Sequence, residues 1–327
     1  EAAIREVVDA QKAAGMRMVT DGEFRRASYW GHWVDAIDGL GVKEALFKFH
    51  NDKGEEQIFI AANGTGRLKK TKPISTEEFK YVKSIVGDAE PKITMPSPST
   101  LHFWRLGETI QDTPYETDEE FMAALSAIFA QEIADLAALG CTYVQLDEVP
   151  LIMLGNPAIR DQVRELGGDP EALISLYIKG MNDAVKDRPE GMVAAMHICR
   201  GNFKGQWLTE GGYDEIAERV FREVDVDAFC LEYDNERSGS FEPLKHVPDD
   251  KIVVLGLVST KTPVLEDPDK LVARIEEAAQ YMDKDHLCIS PQCGFASTVA
   301  GNPVTPEAQE AKLKLLVDVA KRVWGEA

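Results

Sequence analysis

Seven short apolar runs, each closing on polar or turn residues, alternate along the chain with longer amphipathic stretches. They are RMVTDGE (17–23), KITMPSP (92–98), TYVQLDE (142–148), GMVAAMHIC (191–199), AFCLEYD (228–234), KIVVLGLVS (251–259) and HLCISPQCG (286–294). Near-continuous apolar strands separated by helices specify a parallel sheet covered on both faces, because each crossover lays a helix on the sheet. Helices are expected over 75–87, 117–139, 170–186, 213–224, 268–284 and 305–323. The chain opens on EAAIREVVDAQKAAG, a helix with no strand before it, and a further strand is expected ahead of Glu1. With that strand the count becomes eight, the number a (β/α)8 TIM barrel requires. The stretch 39–73, holding EQIFIAANG, fits no crossover helix and predicts a β-hairpin insertion. A doubly wound open sheet is the competing α/β fold, but no glycine-rich fingerprint follows any of the runs.

The 327 residues are 44% hydrophobic and 28% charged, and no repeat or low-complexity linker divides them, so a single domain over 1–327 is expected. A net charge of −20 repels phosphate backbones and anionic lipid, which argues against nucleic-acid and membrane partners. No apolar run is expected to reach the roughly 18 uncharged residues of a membrane helix. Five cysteines, odd in number and sparse, fit a reducing cytoplasm better than a disulfide framework. Small molecules are therefore the expected partners, with self-association into a homo-oligomer left open.

Barrel active sites lie at the C-terminal ends of the strands. Here those ends carry Asp21 and Glu23, Asp147 and Glu148, His197 and Cys199, Glu232 and Asp234, then Lys261 and Cys293. On a strand, residues two apart share a side, so His197 and Cys199 present an imidazole and a thiol together. With Cys293, and with Glu232 as a fourth group, they form a set that zinc accepts. The competing reading is a core histidine and small apolar cysteines, since free cysteine is among the most buried residue types. Cys141, Cys230 and Cys288 fit that reading; Cys293 fits it less well, lying in the turn-like SPQCGFAS.

These segments together carry a resemblance. From VTDGEFRR through MPSPSTLHFW, YVQLDE, HICRGN and CLEYDNERSG to SPQCGFAS, the chain resembles the cobalamin-independent methionine synthase family, in a short form of its catalytic barrel. The larger group includes uroporphyrinogen decarboxylase, whose chemistry needs no metal and would leave the histidine and cysteines unexplained. The resemblance implies zinc held by His197, Cys199, Glu232 and Cys293, the last in a P-x-C-G turn. It implies a methyltransferase acting on homocysteine, whose amino group meets Glu23 and Asp147, with Trp104 lying along a folate donor. Zinc would serve by deprotonating the acceptor thiol, whose free pKa is roughly 8.5, while leaving it nucleophilic.

Two departures qualify that implication. Where the long enzymes carry an Asp and a His in a D-x-H-S-P-like stretch, this chain has VSTKTP, placing Ser259 and Lys261 there. Lys261 thus stands where the family's His assists the leaving group, and reads as an anion clamp or as a solvated rim lysine. The N-terminal half of the long enzymes has no counterpart here, which opens the donor to a methylated corrinoid such as methylcobalamin as well as methyl-folate. GLVSTKTP also resembles the epoxyalkane:coenzyme M transferase branch, in which cations hold a sulfonate. Arg25, Arg26 and Arg200 are candidates for holding an anionic substrate group in either reading, Arg200 above all because it follows the H-x-C pair. A zinc-binding paralogue without turnover is the reading from a different class; a closed structural zinc would have no use for Glu23 and Asp147.

Overall fold

The computed structural model describes residues 1–50, 56–202, 204, 207–296, 298, 299 and 301–325. All seven expected runs form parallel strands: β1 (Met18–Val19), then, past a hairpin of β2 (Ile37–Glu44) and β3 (Ile60–Lys70), β4 (Ile93–Pro96), β5 (Tyr143–Glu148), β6 (Val193–Ile198), β7 (Ala228–Glu232), β8 (Ile252–Val258) and β9 (Leu287–Pro291). Strands β4 to β9 pair side by side in chain order. Glu90–Pro91, just ahead of β4, pairs in parallel with β1. The run therefore has seven staves in sequence order, without the reversal of strand order that a doubly wound sheet shows at its switch point. This is the winding of a TIM barrel. Among the described residues, β1 and β9 are its two edges.

The helices are α1 (Ala2–Ala14), α2 (Thr76–Ile85), α3 (Asp118–Ala138), α4 (Pro170–Val185), α5 (Asp214–Glu223), α6 (Pro268–Ala278) and α7 (Pro306–Trp324). Several starts are written in the sequence. Asp169, Asp267 and Thr305 each accept a first-turn N–H and each precedes a proline, whose missing N–H and fixed φ suit the first helical position. Helix α6 stops at Ala278 rather than near 284, because Asp283 caps a separate turn, Lys284–His286, that delivers the chain into β9.

Helix α3 is long and apolar enough, by length and composition alone, to cross a membrane, although Glu132 and Asp135 interrupt its uncharged run. It is instead a covering helix of the barrel. Phe121, Leu125, Phe129, Ile133 and Leu136 are buried, and Phe129 stacks on Trp33 at 3.8 Å. Its Glu132, also buried, accepts the Ser75 N–H at 2.6 Å and pairs with Lys70 of β3 at 2.5 Å.

The insertion expected over 39–73 is present as the antiparallel pair β2 and β3; its residues 51–55 lie outside the described residues. The register shifts at Gly39, whose φ of 87° and position against the Arg67 carbonyl, 2.4 Å from where a Cβ would stand, admit no side chain. Strand alternation does the rest. Ala195, Ala228, Cys230 and Tyr143 form one small cluster, while Met196, Ile198, Phe229 and Leu231 join the main core.

Candidate metal centre

His197, near the end of β6, sits beside Asp147 of β5 in the ladder. Its Nδ1 lies 3.0 Å from the Cys230 carbonyl oxygen on β7. A carbonyl can only accept, so Nδ1 carries a proton, and Nε2 is the nitrogen turned to the sulfurs, with a lone pair to offer when the ring is neutral. Cys199 follows two residues on, as strand periodicity requires, and its sulfur accepts the Gly201 N–H at 3.1 Å. Gly201 makes the turn at φ 93°, with Leu208 packed where a Cβ would project. From the turn after β9, Cys293 brings its sulfur to 3.4 Å from His197 Nε2 and 3.1 Å from Cys199 Sγ. The nitrogen and both sulfurs lie within 4.8 Å of one another. One imidazole lone pair and two thiol sulfurs converging this closely are a donor set that fits zinc.

The two thiols are not equivalent. The Cys293 S–H donates to Cys199, and this bond, with His197 acting in the same sense against burial, lowers the Cys199 thiol to about 5. Cys293 keeps the proton, and its own pKa rises well above the ordinary thiol value because of that bond and burial. Asp147 is raised to about 6, first by burial and further by Glu23, with His197 opposing. Asp147 is thus an electrostatic neighbour of His197, and Glu23 of Asp147. Asp147 accepts from Gln145 at 2.7 Å and Glu23 from the Thr94 hydroxyl at 2.5 Å. Glu23 adopts φ 58°, and its N–H is held by Asp21 at 2.8 Å. Asp21 and Glu148 serve their own loops: besides the Glu23 N–H held by Asp21, Glu148 accepts the Leu151 N–H at 2.7 Å and a bond from the Ser99 hydroxyl.

Glu232, at the end of β7, is buried and lies outside the set of three close donors. Its Oε1 accepts from Lys261 Nζ at 2.9 Å and its Oε2 from the Arg200 N–H at 2.9 Å. Burial works against its charge, and the Lys261 ammonium together with Arg200 more than offsets this, holding the carboxyl below its ordinary value. Lys261 is 6% exposed, so the solvated-rim reading is wrong; its ammonium faces Glu232 rather than open solvent.

The arginines also differ from expectation. Arg200 is buried and turned into the protein, donating to the carbonyls of Gly211 (2.8 Å) and Glu232 (3.1 Å) and stacking on Tyr213 at 4.4 Å. Arg26 is spent on Glu78 and Thr94, and Arg25 lies over Tyr81. Trp104 is 6% exposed and packs edge-on against Phe47, Phe59 and Phe103.

Sequence reasoning passed over several neighbours. Tyr29 bonds to Thr100 and faces Cys199 and Asp147; burial, together with these charges, pushes its phenol pKa up. Nothing in SYWGHW singles it out. Gln145 could have been found, since it shares a strand face with Asp147. A network of Asn202, Thr260 and Gln292 ties the three loops of the site together. Asn202 Nδ2 donates to Thr260 Oγ1 and the Gly294 carbonyl, and Gln292 Oε1 accepts the Thr260 N–H at 2.7 Å.

Fold and site together define a TIM-barrel protein with a histidine and two cysteines gathered at its strand ends. The chain belongs to the family of the cobalamin-independent synthase catalytic domain, which it matches over residues 1–322. It is 41% identical to the uncharacterized protein YxjH of Bacillus subtilis (strain 168), covering 98% of this chain and 84% of that one. A methionine synthase of Pyrococcus abyssi is 27% identical, over 88% of this chain and 74% of its own. Among solved structures, a vitamin-B12-independent methionine synthase homologue from Listeria monocytogenes superposes with a TM-score of 0.75 at 31% identity, covering 99% of this chain and 87% of that one. The family is methionine-synthase-like and its members are methyltransferases.

Proposed function

We propose that this protein is a zinc-dependent methyltransferase that methylates a small thiol, homocysteine giving methionine, from a methyl-folate or methyl-corrinoid donor. The observation that carries the reading is the convergence of His197 Nε2 with the sulfurs of Cys199 and Cys293 from two strand ends far apart in sequence. Bound zinc would supply one thing, a thiolate from the acceptor at neutral pH.

The chain's own groups do the remaining work. The Cys230 carbonyl fixes the His197 tautomer and ring. Asp147 and Glu23 offer carboxylates to the acceptor's ammonium, and with its pKa near 6 Asp147 is largely ionised at pH 7. Gln145 and Thr94 hold those carboxylates in place. The coenzyme M transferase reading has less support, because the lysine it would use against a sulfonate is engaged by Glu232 and the arginines point elsewhere.

The test begins with metal content by plasma mass spectrometry on protein purified under reducing conditions. Homocysteine and coenzyme M are then offered with methyltetrahydrofolate or methylcobalamin, and products are read by mass spectrometry. About one zinc per chain and methionine as product are the expected results. Zinc without transfer to either thiol would favour the non-catalytic paralogue, and a folded chain unable to take up zinc would end the metal reading.

A further inference from the structure

Lys261 stands where the family resemblance implies a histidine, and the structure gives it a partner that the resemblance does not name. It lies in the loop after β8, and that loop is fastened to the Cys293 turn: the Thr260 N–H donates to Gln292 Oε1 at 2.7 Å and Asn302 donates to the Thr260 carbonyl at 2.9 Å. So placed, the ammonium is 6% exposed, bonds Glu232 Oε1 at 2.9 Å, and sits in the field of Cys293, Asp234 and Cys199. Glu232 itself is fully buried, with the Arg200 N–H on its other oxygen.

We propose that Lys261 is a positioning residue that competes with the metal for Glu232 and makes this carboxylate a displaceable fourth donor. The inference rests on the metal reading above and adds to it a role for a residue of this chain. A buried carboxylate without a cation is strongly disfavoured. In a site with no lysine, the metal would be the one cation in direct contact with the Glu232 carboxylate, and an incoming thiolate could take its place only by leaving that carboxylate with the Arg200 N–H alone. Lys261 supplies the alternative partner within hydrogen-bond reach. A carboxylate has about four lone-pair sites, so the Arg200 N–H can stay in place while Oε1 changes partner. Glu232 can then join or leave the donor set with little movement.

The test is a four-cornered comparison of the full chain: the parent, Lys261→Met, Glu232→Gln and the double variant Lys261→Met with Glu232→Gln. Zinc affinity is read by competition with a chromophoric chelator, and the site by the absorption spectrum of the cobalt-substituted protein. Lys261→Met should bind zinc at least tenfold more tightly, with a changed cobalt spectrum, and the tightening should disappear in the double variant. Glu232→Gln should lose less than tenfold in affinity. Unchanged or weaker binding by Lys261→Met, or tightening that persists without Glu232, overturns the proposal. If Lys261→Met does not fold, Glu232→Gln decides: a loss of tenfold or more would make Glu232 an obligatory donor and overturn it as well. Failure of the parent chain to take up zinc is a separate outcome, which ends the metal reading itself.

Discussion

Cys199 and Cys293, 94 residues apart in the chain, place their sulfurs 3.1 Å from each other beside the free nitrogen of His197. Thiols with no common task gain little from such proximity, since burial disfavours their charged forms. Replacing Cys293 with Ser should therefore lower zinc affinity by roughly 100-fold or more, at least the scale seen when outer-shell partners are lost, and abolish methyl transfer. Metal content and chelator competition check the first effect, with circular dichroism to confirm the fold. Full zinc occupancy in this variant would remove Cys293 from the site.

Asp147 separates acceptor binding from metal binding. It neighbours His197 in the ladder and bonds Gln145, but it does not belong to the three-donor cluster. Asp147→Asn should leave zinc stoichiometry at the parent value and raise KM for the amino-thiol about 10- to 100-fold, the range for losing a charge-assisted hydrogen bond. A thiol lacking the amino group should respond little. Equal effects on both thiols would show that Asp147 acts through the metal centre instead.

The parts that could be read directly from the sequence share one property: they repeat with a fixed period or carry a local signal. The seven strands are apolar runs, the helix starts carry Asp-Pro or Thr-Pro, and His197 with Cys199 obeys the two-residue period of a strand. Cys293 needed the barrel winding to bring it to Cys199. Lys261 and Arg200 could not be read because they lie in loops, where side-chain direction has no period. One turned to Glu232 and the other to Tyr213 and two carbonyls. Tyr29 enters from the loop after β1 by tertiary packing alone.

Arg26 and Glu78 form the buried pair that supports Glu23. Their side chains are 2% and 8% exposed, and the guanidinium meets both carboxylate oxygens while also bonding Thr94, the residue that holds Glu23. Glu78→Gln leaves the buried guanidinium with the more distant Glu23, at 3.6 Å, as its counter-ion and should cost about 3 kcal/mol in urea unfolding. Replacing the pair together, Arg26→Met with Glu78→Leu, should recover much of that loss while weakening acceptor binding. A single variant as stable as the parent would show that the pair contributes no net stability.

His32 sets part of the acid limit of the fold. Among the described residues neither ring nitrogen has a hydrogen-bond partner, and burial, with the Arg26 charge nearby, lowers its pKa to about 2. In the unfolded chain the value is about 6.5, so below that pH the unfolded state takes up a proton that the folded state refuses. Stability from this residue is thus fully present above pH 6.5 and is lost as pH falls towards 2. The slope approaches about 1.4 kcal/mol per pH unit for one proton. His32→Phe removes the titrating group and should flatten the parent's decline between pH 6.5 and 4.5 by about that slope. Urea unfolding at pH 7.0, 5.5 and 4.5 makes the comparison, and parallel declines in the two proteins would place the acid sensitivity elsewhere.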